Sequence, residues 1–320
     1  MIHALALTGP TASGKTALSI KLSQRLCCEI ISCDSMQIYK GMDVGTAKAT
    51  VSEQRQAPHH MIDIITPDES FSANAYRAMA LPIAKSIAER GKTPLFVGGT
   101  GLYLSTVIRN SCDEVPESDP AYRERIEAGL ATEADRVALW ERLQQIDPAS
   151  AALSHYNNTR RVIRALEIYE TTGKTKSYFD ERSRLPSPDI SITHVTLDIH
   201  DRETLYKRTD ARVDAMLKDG LLEETERLYK EGLLKPEYTA AQAIGYKEML
   251  GVITGEVTMT EATERLKQAT RNYAKRQLTW FRHDATAARV FLDTEDGRMR
   301  SADDLLEECI TIFTEAQNRN

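Results

Sequence analysis

The stretch GPTASGKT at positions 9–16 is the feature that most constrains the fold. It fits the pattern G-x-x-x-x-G-K-[S/T], in which loop N–H groups cradle phosphates, the lysine reaches the terminal phosphate and the hydroxyl residue contacts Mg²⁺. An apolar run, HALAL at 3–7, comes just before it, and a helix is expected to begin at Gly14. Such a strand–loop–helix unit binds anions through its N–H groups and the helix dipole. The pattern predicts a phosphate-binding α/β protein, and it leaves open whether the phosphate belongs to ATP or to another compound.

Composition favours an ordinary soluble globular protein of one or two domains. The chain has 320 residues, of which 41% are hydrophobic and 28% are charged, both within the usual range. No apolar run is long enough for a membrane span, and the first residues lack the basic start of a signal peptide. The five cysteines form no C-x-x-C pair, which favours free thiols in a reducing compartment. We therefore expect a cytoplasmic protein without a membrane partner.

Apolar runs that are typical of buried strands alternate with helical patterns along the chain. After the first strand, further strands are predicted within 29–34, 58–64, 93–101, 192–199 and 288–293. This alternation predicts a P-loop NTPase-like parallel sheet with helices on both faces. Ligands of such sheets bind beyond the carboxyl ends of the strands. The glycine loop, Asp34 after the second strand and the GGTG turn at 98–101 all fall at that edge, so we expect them to share one crevice.

A helical insertion is expected between two parts of this α/β core. Turn-rich segments, SCDEVPESDP and RLPSPD, flank a region whose patterns are helical. We predict a core formed by 1–110 and 188–320, including C-terminal helices, and an all-helical insertion domain at 111–187.

The predicted strand at 93–101 differs from its counterpart in ATP-hydrolysing proteins. Those proteins use an acidic residue at a strand end to hold Mg²⁺, whereas this strand ends in VGGTGLY. The acid instead follows the second strand, in CDSMQIYKGMDVGTAK, where Asp34 is placed to act as a base. The crevice thus has phosphate-holding parts and a candidate base, but a poor set of groups for ATP hydrolysis.

Basic residues are concentrated in the second half of a chain whose net charge is −6. Arg208 and Arg212 lie four residues apart on a predicted helix and share a face, which suits a multiply charged phosphate group. The same spacing also fits surface ion pairs with Asp210, Asp214 or Glu203. The stretches 158–184 and 265–282 are rich in basic residues and fit either a phosphate-binding surface or a solvated helix face.

The C-terminal basic helix also carries two aromatic residues. Tyr273 and Trp280 lie seven residues apart, and we expect them to pack mainly in the core. The basic residues Arg271, Lys275 and Arg282 are expected on the wetter side of the same helix.

Six separated motifs together resemble the tRNA isopentenyl transferase family, the bacterial tRNA dimethylallyltransferases. They are GPTASGKT, DSMQIYKGMDVGTAK, GGTGLY, NTRRVIRALE, AIGYKE and RNYAKRQLTWFR. The similarity extends over nearly the whole chain, and the insertion is similar to the helical tRNA-binding insert of that family. The resemblance implies transfer of a dimethylallyl group from its diphosphate to N6 of the adenosine next to the anticodon, at tRNA position 37. It also suggests a monomer and implies no protein partner.

The resemblance implies a role for each part of the crevice. Asp34 would accept the proton of the adenine amine, Thr100 would lie beside the reacting groups, and Arg208 would stabilise the developing charge. The residues implied to bind the diphosphate are Gly9, Pro10, Thr11, Ala12, Ser13, Gly14, Lys15, Thr16 and Arg212, with Thr16 also holding Mg²⁺. Those implied to contact the tRNA anticodon stem-loop are Asp34, Ser35, Met36, Gln37, Thr100, Asn158, Thr159, Arg160, Arg161, Val162 and Arg164.

Several alternatives remain open at the level of sequence. An adenylate isopentenyltransferase would act on free AMP, ADP or ATP, but the helical insertion favours a macromolecular acceptor. A P-loop kinase of a small metabolite fits Asp34 but not the GGTGLY strand end, and an RNA-binding module without catalysis is the third. At individual positions, Gln37 is also compatible with capping a turn, and Arg164 with a helix ion pair to Glu167. The adjacent His59 and His60 are expected to be structural.

Overall fold

The computed structural model describes residues 1–109, 115, 119–183 and 185–318. The predicted boundary at 110 and 111, most of the linker that follows it, and Cys112 lie outside the described residues. The chain divides into two compact units, one made of Met1–Val107 with Asp189–Asn320 and the other of Ile108–Pro188. Among the described residues no helix is both long and apolar enough to cross a membrane.

The first unit is built on a parallel sheet of six strands, as predicted. The strands are β1 (Ile2–Thr8), β2 (Cys28–Ser32), β3 (His59–His60), β4 (Thr93–Gly98), β5 (Ile190–Asp198) and β6 (Ala288–Phe291). Their order is β3-β2-β4-β1-β5-β6, and each neighbouring pair is parallel. The first strand of the chain therefore lies inside the sheet, and the glycine loop that follows it begins at the middle of the carboxyl edge.

Fourteen helices accompany the strands in the described part of the chain. They are α1 (Lys15–Leu26), α2 (Val51–Gln56), α3 (Ala73–Glu89), α4 (Gly101–Ile108), α5 (Pro120–Glu127), α6 (Glu133–Ile146), α7 (Pro148–Ala152), α8 (Thr159–Thr172), α9 (Lys176–Arg182), α10 (Arg202–Lys218), α11 (Leu221–Lys230), α12 (Tyr246–Ile253), α13 (Met259–Arg282) and α14 (Ala302–Asn318).

Apolar side chains from the strands and from the helices that cover them form the main core. Leu7 of β1 and Leu197 of β5 pack with Leu22 of α1 and Phe313 of α14. The helix α3 packs against β1, β2 and β4, where Tyr76 stacks on Tyr103 with ring centroids 4.3 Å apart. Because helices cover both faces, the strands carry nearly continuous apolar runs instead of alternating patterns. These continuous apolar runs are the reason why the strands are recognisable in the sequence.

A buried polar network secures the end of β1, just before the glycine loop. The hydroxyl of Thr8 lies 2.7 Å from His194 Nε2 and 2.7 Å from the hydroxyl of Thr196, both on β5. The other ring nitrogen of His194 lies 3.0 Å from a carboxylate oxygen of Asp284. This contact holds the pKa of Asp284 well below its ordinary value. The loop therefore begins from a strand end that is fixed by side chains as well as by the sheet.

The four cysteines within the described residues are free thiols. Burial raises the pKa of Cys28, Cys33 and Cys309 to about 12, so these thiols are protonated and unreactive at neutral pH.

The second unit is helical and has its own small core. Leu143 of α6, Ala151 of α7, and Val162 and Leu166 of α8 pack together. Inside this unit Glu167 is fully buried, and its carboxylate accepts hydrogen bonds from Arg164 (2.8 Å), Arg123 (3.3 Å) and the backbone N–H of Asp119 (2.5 Å). The helix ion pair between Arg164 and Glu167 is thus present. Burial alone would raise the pKa of Glu167, but these bonds hold it below its ordinary value.

Replacing Glu167 by alanine is expected to destabilise this unit by about 3–5 kcal/mol, because two arginines and one N–H lose a buried partner. Urea unfolding followed by circular dichroism measures the change as an earlier transition. The exposed Glu127 of α5 serves as the control, since its replacement by alanine should leave the transition in place. Equal midpoints for the two variants would contradict a structural role for Glu167.

Candidate active site

One cavity, with a volume of about 320 Å³, lies in the first unit where the sheet predicts a ligand site. Its lining comes from the glycine loop, the segment after β2, the end of β4 and the helices α10 and α13. The residues are 11–16, 34–37, 45–47, 97–99, 212, 216, 242–244, 266, 270, 273, 276 and 277. The three segments that the sequence placed in a common crevice therefore do meet around one cavity.

The glycine loop has the conformation that its glycines suggest. Gly9 has a φ of 143°, and a Cβ at this position would lie 2.9 Å from the backbone oxygen of Leu197. Gly14 has a φ of 89° and precedes the first turn of α1, so both positions favour glycine. Thr11 through Thr16 line the cavity, which presents the start of α1 to any anion bound there.

Lys15 is the central cation of the cavity. Its Nζ donates hydrogen bonds to the backbone oxygens of Gly9 (2.8 Å) and Pro10 (2.6 Å). Burial and, to a smaller extent, the positive charge of Arg212 lower the pKa of Lys15 to about 7, although the carboxylate of Asp34 acts in the opposite direction. A buried lysine of this kind gains a strong electrostatic partner when a phosphate binds.

The two arginines of α10 point toward the glycine loop and the cavity. Arg208 Nε donates to the backbone oxygen of Ala12 at 2.8 Å, so it supports the loop from outside the cavity lining. Arg212 lines the cavity, and burial lowers its pKa. The alternative of surface ion pairs with neighbouring acids is not what the structure shows: Asp210 pairs with Arg271 (2.7 Å) and Asp214 with Lys267 (2.7 Å).

Asp34 lies two residues beyond β2 and lines the cavity. Its Oδ1 accepts the backbone N–H groups of Met36 (2.9 Å) and Gln37 (3.4 Å), which fixes the carboxylate in a turn; Oδ2 takes part in neither bond. Thr100 is close by, since its hydroxyl accepts the N–H of Ser35 at 3.1 Å and donates to the Ser35 hydroxyl at 3.3 Å. Ser35 and Thr100 are therefore joined by hydrogen bonds directly beside Asp34 at the edge of the sheet.

The GGTG turn lies unusually close to its neighbours. A Cβ on Gly98 would lie 2.2 Å from the backbone oxygen of Cys33, and one on Gly99 would lie 2.1 Å from Gln277 Nε2. A side chain on Gly98 would therefore clash with fixed backbone, and one on Gly99 would displace the amide of Gln277. Gly98 thus allows β4 to approach the segment that carries Asp34, and Gly99 allows Gln277 of α13 to approach the turn.

Two cavity residues of α13 were missed or misplaced by the sequence interpretation. Gln277 accepts the N–H of Thr11 (2.7 Å) and donates to the backbone oxygen of Gly99 (3.0 Å), so it joins the glycine loop to the GGTG turn. Tyr273 was expected in the core, but it lines the cavity and hydrogen-bonds Thr100 and Gln277; burial raises its pKa. The available signal was their spacing, since two polar residues four apart on the inward face of an amphipathic helix need an explanation.

Two other expectations for α13 were wrong. Trp280 is 50% exposed and its indole lies against Gly101, whereas Phe281 on another face of the same helix end is buried. Arg282 was expected on the wet side, but it donates to the buried carboxylate of Asp198 at 2.6 Å. Asp198, the last residue of β5, thus draws the guanidinium group of Arg282 toward the interior.

Other candidate residues are engaged with the protein. Gln37 Nε2 donates to the backbone oxygens of Thr46 (3.3 Å) and Ala47 (3.4 Å), and its Oε1 accepts the hydroxyl of Ser32 (3.1 Å). Its amide therefore ties the segment after Asp34 to residues 46 and 47. His59 and His60 have structural partners, as expected: a ring nitrogen of His59 lies 2.7 Å from the backbone oxygen of Ala57, and His60 contacts Glu29 at 2.8 Å.

The helical unit displays the predicted basic segment at the start of α8. Asn158, Arg160 and Arg161 are exposed, Thr159 and Arg164 are partly exposed, and Val162 is buried in the core of that unit. The side chain of Val162 therefore belongs to the packing of α8, while Arg160 and Arg161 are exposed to solvent and Arg164 pairs with Glu167.

The cavity also has an apolar wall, formed by Met36, Val97, Met216, Ile244 and Leu266. A site for a phosphate group alone does not need such an apolar wall. A cavity that has both the glycine loop and this wall suits a ligand with an anionic head and a short hydrocarbon group.

The donor set of the cavity fits Mg²⁺ held mainly by a ligand. Among the described residues, no cluster of three or more His, Cys, Asp or Glu side chains could hold a metal. The cavity offers one threonine hydroxyl next to the lysine, Thr16, and one carboxylate, Asp34. Mg²⁺ commonly binds through few protein oxygens, substrate phosphates and water, so the hydroxyl of Thr16 is a suitable protein ligand.

The fold and the site define a class: a P-loop-type α/β enzyme whose cavity combines the glycine loop with an apolar wall. Two family models match the chain, IPP transferase over residues 37–284 and isopentenyl transferase over residues 2–69. The tRNA dimethylallyltransferases of Bacillus velezensis and Bacillus subtilis are 49% and 48% identical to it over 278 residues, covering 87% of each chain. The chain belongs to the IPP transferase family.

Solved structures agree with this assignment. The tRNA isopentenylpyrophosphate transferase of Bacillus halodurans has a TM-score of 0.70 and 40% identity, covering 99% of each chain. A eukaryotic dimethylallyltransferase captured acting on tRNA has a TM-score of 0.75 and 30% identity, covering 91% of this chain and 74% of that one. The resemblance based on the six motifs is confirmed.

Proposed function

We propose that the protein transfers a dimethylallyl group from dimethylallyl diphosphate to N6 of adenosine 37 of tRNA and releases diphosphate. The observation that carries this proposal is the single cavity in which the glycine loop, the carboxylate of Asp34 and the apolar wall meet. The family assignment supports it, since the relatives are named for this reaction. A tRNA substrate is also in keeping with the cytoplasmic location expected from the sequence.

The chemistry follows from the groups around the cavity. The lone pair of the adenine N6 is delocalised into the ring, so the amine needs a base as the new N–C bond forms. Asp34 accepts the N6 proton, N6 bonds to C1 of the dimethylallyl group, and the C1–O bond breaks with its electrons going to the diphosphate. The Asp34 carboxylate is held in place by its own turn, which keeps its free oxygen available.

The leaving diphosphate gathers negative charge as the C1–O bond breaks. Lys15, Arg212 and the N–H groups of the glycine loop are arranged to stabilise that charge. Arg208 acts on the loop through Ala12, and Thr100 and Ser35 orient the groups beside Asp34. Mg²⁺ bound at Thr16 would supply further charge neutralisation to the diphosphate.

The acceptor adenosine has to leave the stack of its loop to enter the cavity. The segment Asp34–Gln37 is proposed to meet the flipped base, and the exposed residues at the start of α8 are proposed to contact the phosphates of the anticodon stem-loop. Arginines at a helix N-terminus suit phosphate binding, because their charge and the helix dipole act together. The helical unit is thus proposed as the tRNA-binding domain.

The deciding experiment incubates the protein with labelled dimethylallyl diphosphate, Mg²⁺ and either unmodified tRNA or AMP. We expect label in tRNA and none in AMP. Label in AMP alone would assign the protein to the adenylate isopentenyltransferases. ATP turnover without label in either acceptor would assign it to the kinases.

The affinity for the diphosphate is expected to decrease above pH 7. Below that pH, Lys15 is protonated in the free protein; above it, the lysine is increasingly neutral. A bound diphosphate favours the ammonium form, so its pKa rises in the complex and binding takes up a proton. The dissociation constant should therefore rise by up to about tenfold per pH unit above pH 7.

Isothermal titration with inorganic diphosphate between pH 6 and 9 measures this dependence. The Lys15→Arg variant is the control, since its guanidinium stays charged throughout, and the ionisation of the ligand is common to both proteins. Identical pH profiles for the two proteins would contradict a lowered pKa of Lys15.

A further inference from the structure

Residues 43–47, of which 45–47 line the cavity, are held by a carboxylate from a distant helix. We call this stretch the wall loop. Glu224 of α11 accepts hydrogen bonds from three consecutive backbone N–H groups, those of Asp43 (3.0 Å), Val44 (3.0 Å) and Gly45 (3.1 Å). Successive N–H groups that converge in this way form an anion-binding concavity. The side chain of Glu224 fills it, so the loop carries its own internal anion.

Tyr246 of α12 completes this arrangement. Its hydroxyl donates to Glu224 Oε1 at 2.5 Å, and burial raises its pKa so that it remains a donor. The ring lies directly against the wall loop, because a Cβ on Gly45 would be 2.4 Å from it. Glycine is therefore required at this close approach.

A buried lysine ties the other end of the same stretch. Lys48 Nζ donates to carboxylate oxygens of Asp43 (2.6 Å) and Asp63 (2.5 Å) and to the backbone oxygen of Tyr39 (2.8 Å). Ala47 (φ 44°) and Asp63 (φ 53°) adopt left-handed backbone conformations. Such strain persists only where the surroundings enforce it, and it is concentrated at functional sites.

The wall loop in turn contacts two side chains that line the cavity, those of Arg212 and Gln37. The backbone oxygen of Thr46 accepts Arg212 Nη2 (3.5 Å) and Gln37 Nε2 (3.3 Å). The N–H of Gln37 donates to Asp34 Oδ1. A displacement of the wall loop would therefore move Arg212 and the segment that carries Asp34 at the same time.

We propose that Glu224 is a positioning residue for prenyl transfer. Its carboxylate fixes the wall loop so that Arg212 meets the diphosphate and the segment after Asp34 meets the acceptor; Glu224 itself touches neither substrate. This inference rests on the proposed function of the cavity. It predicts that loss of the carboxylate weakens diphosphate binding and slows transfer in a protein that is still folded.

The test is the variant Glu224→Gln, which keeps the size of the side chain but turns one acceptor into a donor facing N–H groups. We expect kcat/KM for dimethylallyl diphosphate to fall about tenfold or more, and the Kd for inorganic diphosphate to rise about fivefold. Both are measured well below the unfolding temperature of the variant. Glu226→Gln is the matched control, because Glu226 lies on the same helix in an exposed ion pair with Lys230 (2.7 Å), and both values should stay at wild type.

A second variant keeps the proposal testable if Glu224→Gln does not fold. Tyr246→Phe removes only the hydroxyl that donates to Glu224, and it should change both quantities in the same direction by about threefold. A merely structural role would lower the melting temperature but leave the Kd of the folded protein unchanged, which would overturn the proposal. If the wild-type protein transfers no label to tRNA, the proposed function fails, while the Kd comparison still decides the role of Glu224.

Discussion

Replacing Asp34 by asparagine is expected to lower the rate of dimethylallyl transfer by about 10²-fold or more, with diphosphate binding retained. The amide oxygen of asparagine can accept the same N–H groups of Met36 and Gln37 that the carboxylate accepts. The turn and the cavity wall should therefore keep their structure, and the variant loses only the basic carboxylate that accepts the proton. Alanine at the same position is expected to give at least as large a loss of rate.

Single-turnover transfer to tRNA measures the rate, and titration with inorganic diphosphate measures the binding. The titration belongs at pH 6.5, because Asp34 favours the charged form of Lys15 and a higher pH would mix the two effects. Asp68→Asn, an exposed position on the same unit, is the control and should behave as wild type. A variant that transfers the prenyl group at the wild-type rate would show that Asp34 is not the base.

Replacing Lys15 by alanine is expected to reduce both binding and rate. Loss of a charge-assisted hydrogen bond to the diphosphate should raise its dissociation constant about 10- to 100-fold. Loss of a donor that acts on the leaving group should also lower kcat by about 10²-fold or more. Asp34→Asn, in contrast, is expected at pH 6.5 to lower the rate and to leave diphosphate binding unchanged.

The same two assays distinguish the variants. Lys21→Ala removes a lysine from the same helix, where it pairs with Asp303 at 2.9 Å, and it should change neither quantity. If the diphosphate bound Lys15→Ala as tightly as the wild type, the glycine loop would not be the diphosphate site.

The local elements of the fold were predictable because their signals are local. Apolar runs marked the strands, and GPTASGKT marked the first strand–loop–helix unit with its anion-binding role. The order of the strands was not predictable, since it depends on pairings between segments far apart in the chain. Nothing near residues 2–8 indicates that this strand has β4 on one side and β5 on the other.

The candidate site shows the same division. The residues found from motifs, such as Lys15 and Asp34, lie next to the turns that give them their function. Gln277 and Glu224 were missed because their partners lie 266 and about 180 positions away, and their own sequence neighbourhoods are ordinary helices. Trp280 was misplaced for a related reason: helical periodicity indicates that it shares a face with Tyr273, but not that this face meets the cavity and solvent.

The central place of β1 has a consequence for how the protein is made. Thr8 and its partner His194 on β5 are 186 positions apart. At roughly 5–20 residues per second, the ribosome needs about 10–40 s to synthesise the intervening chain. During that time β1 has an unpaired edge, and the glycine loop lacks Gln277, its contact from α13. The nascent chain can therefore form the helical unit early, but the cavity is completed only after Gln277 has been synthesised.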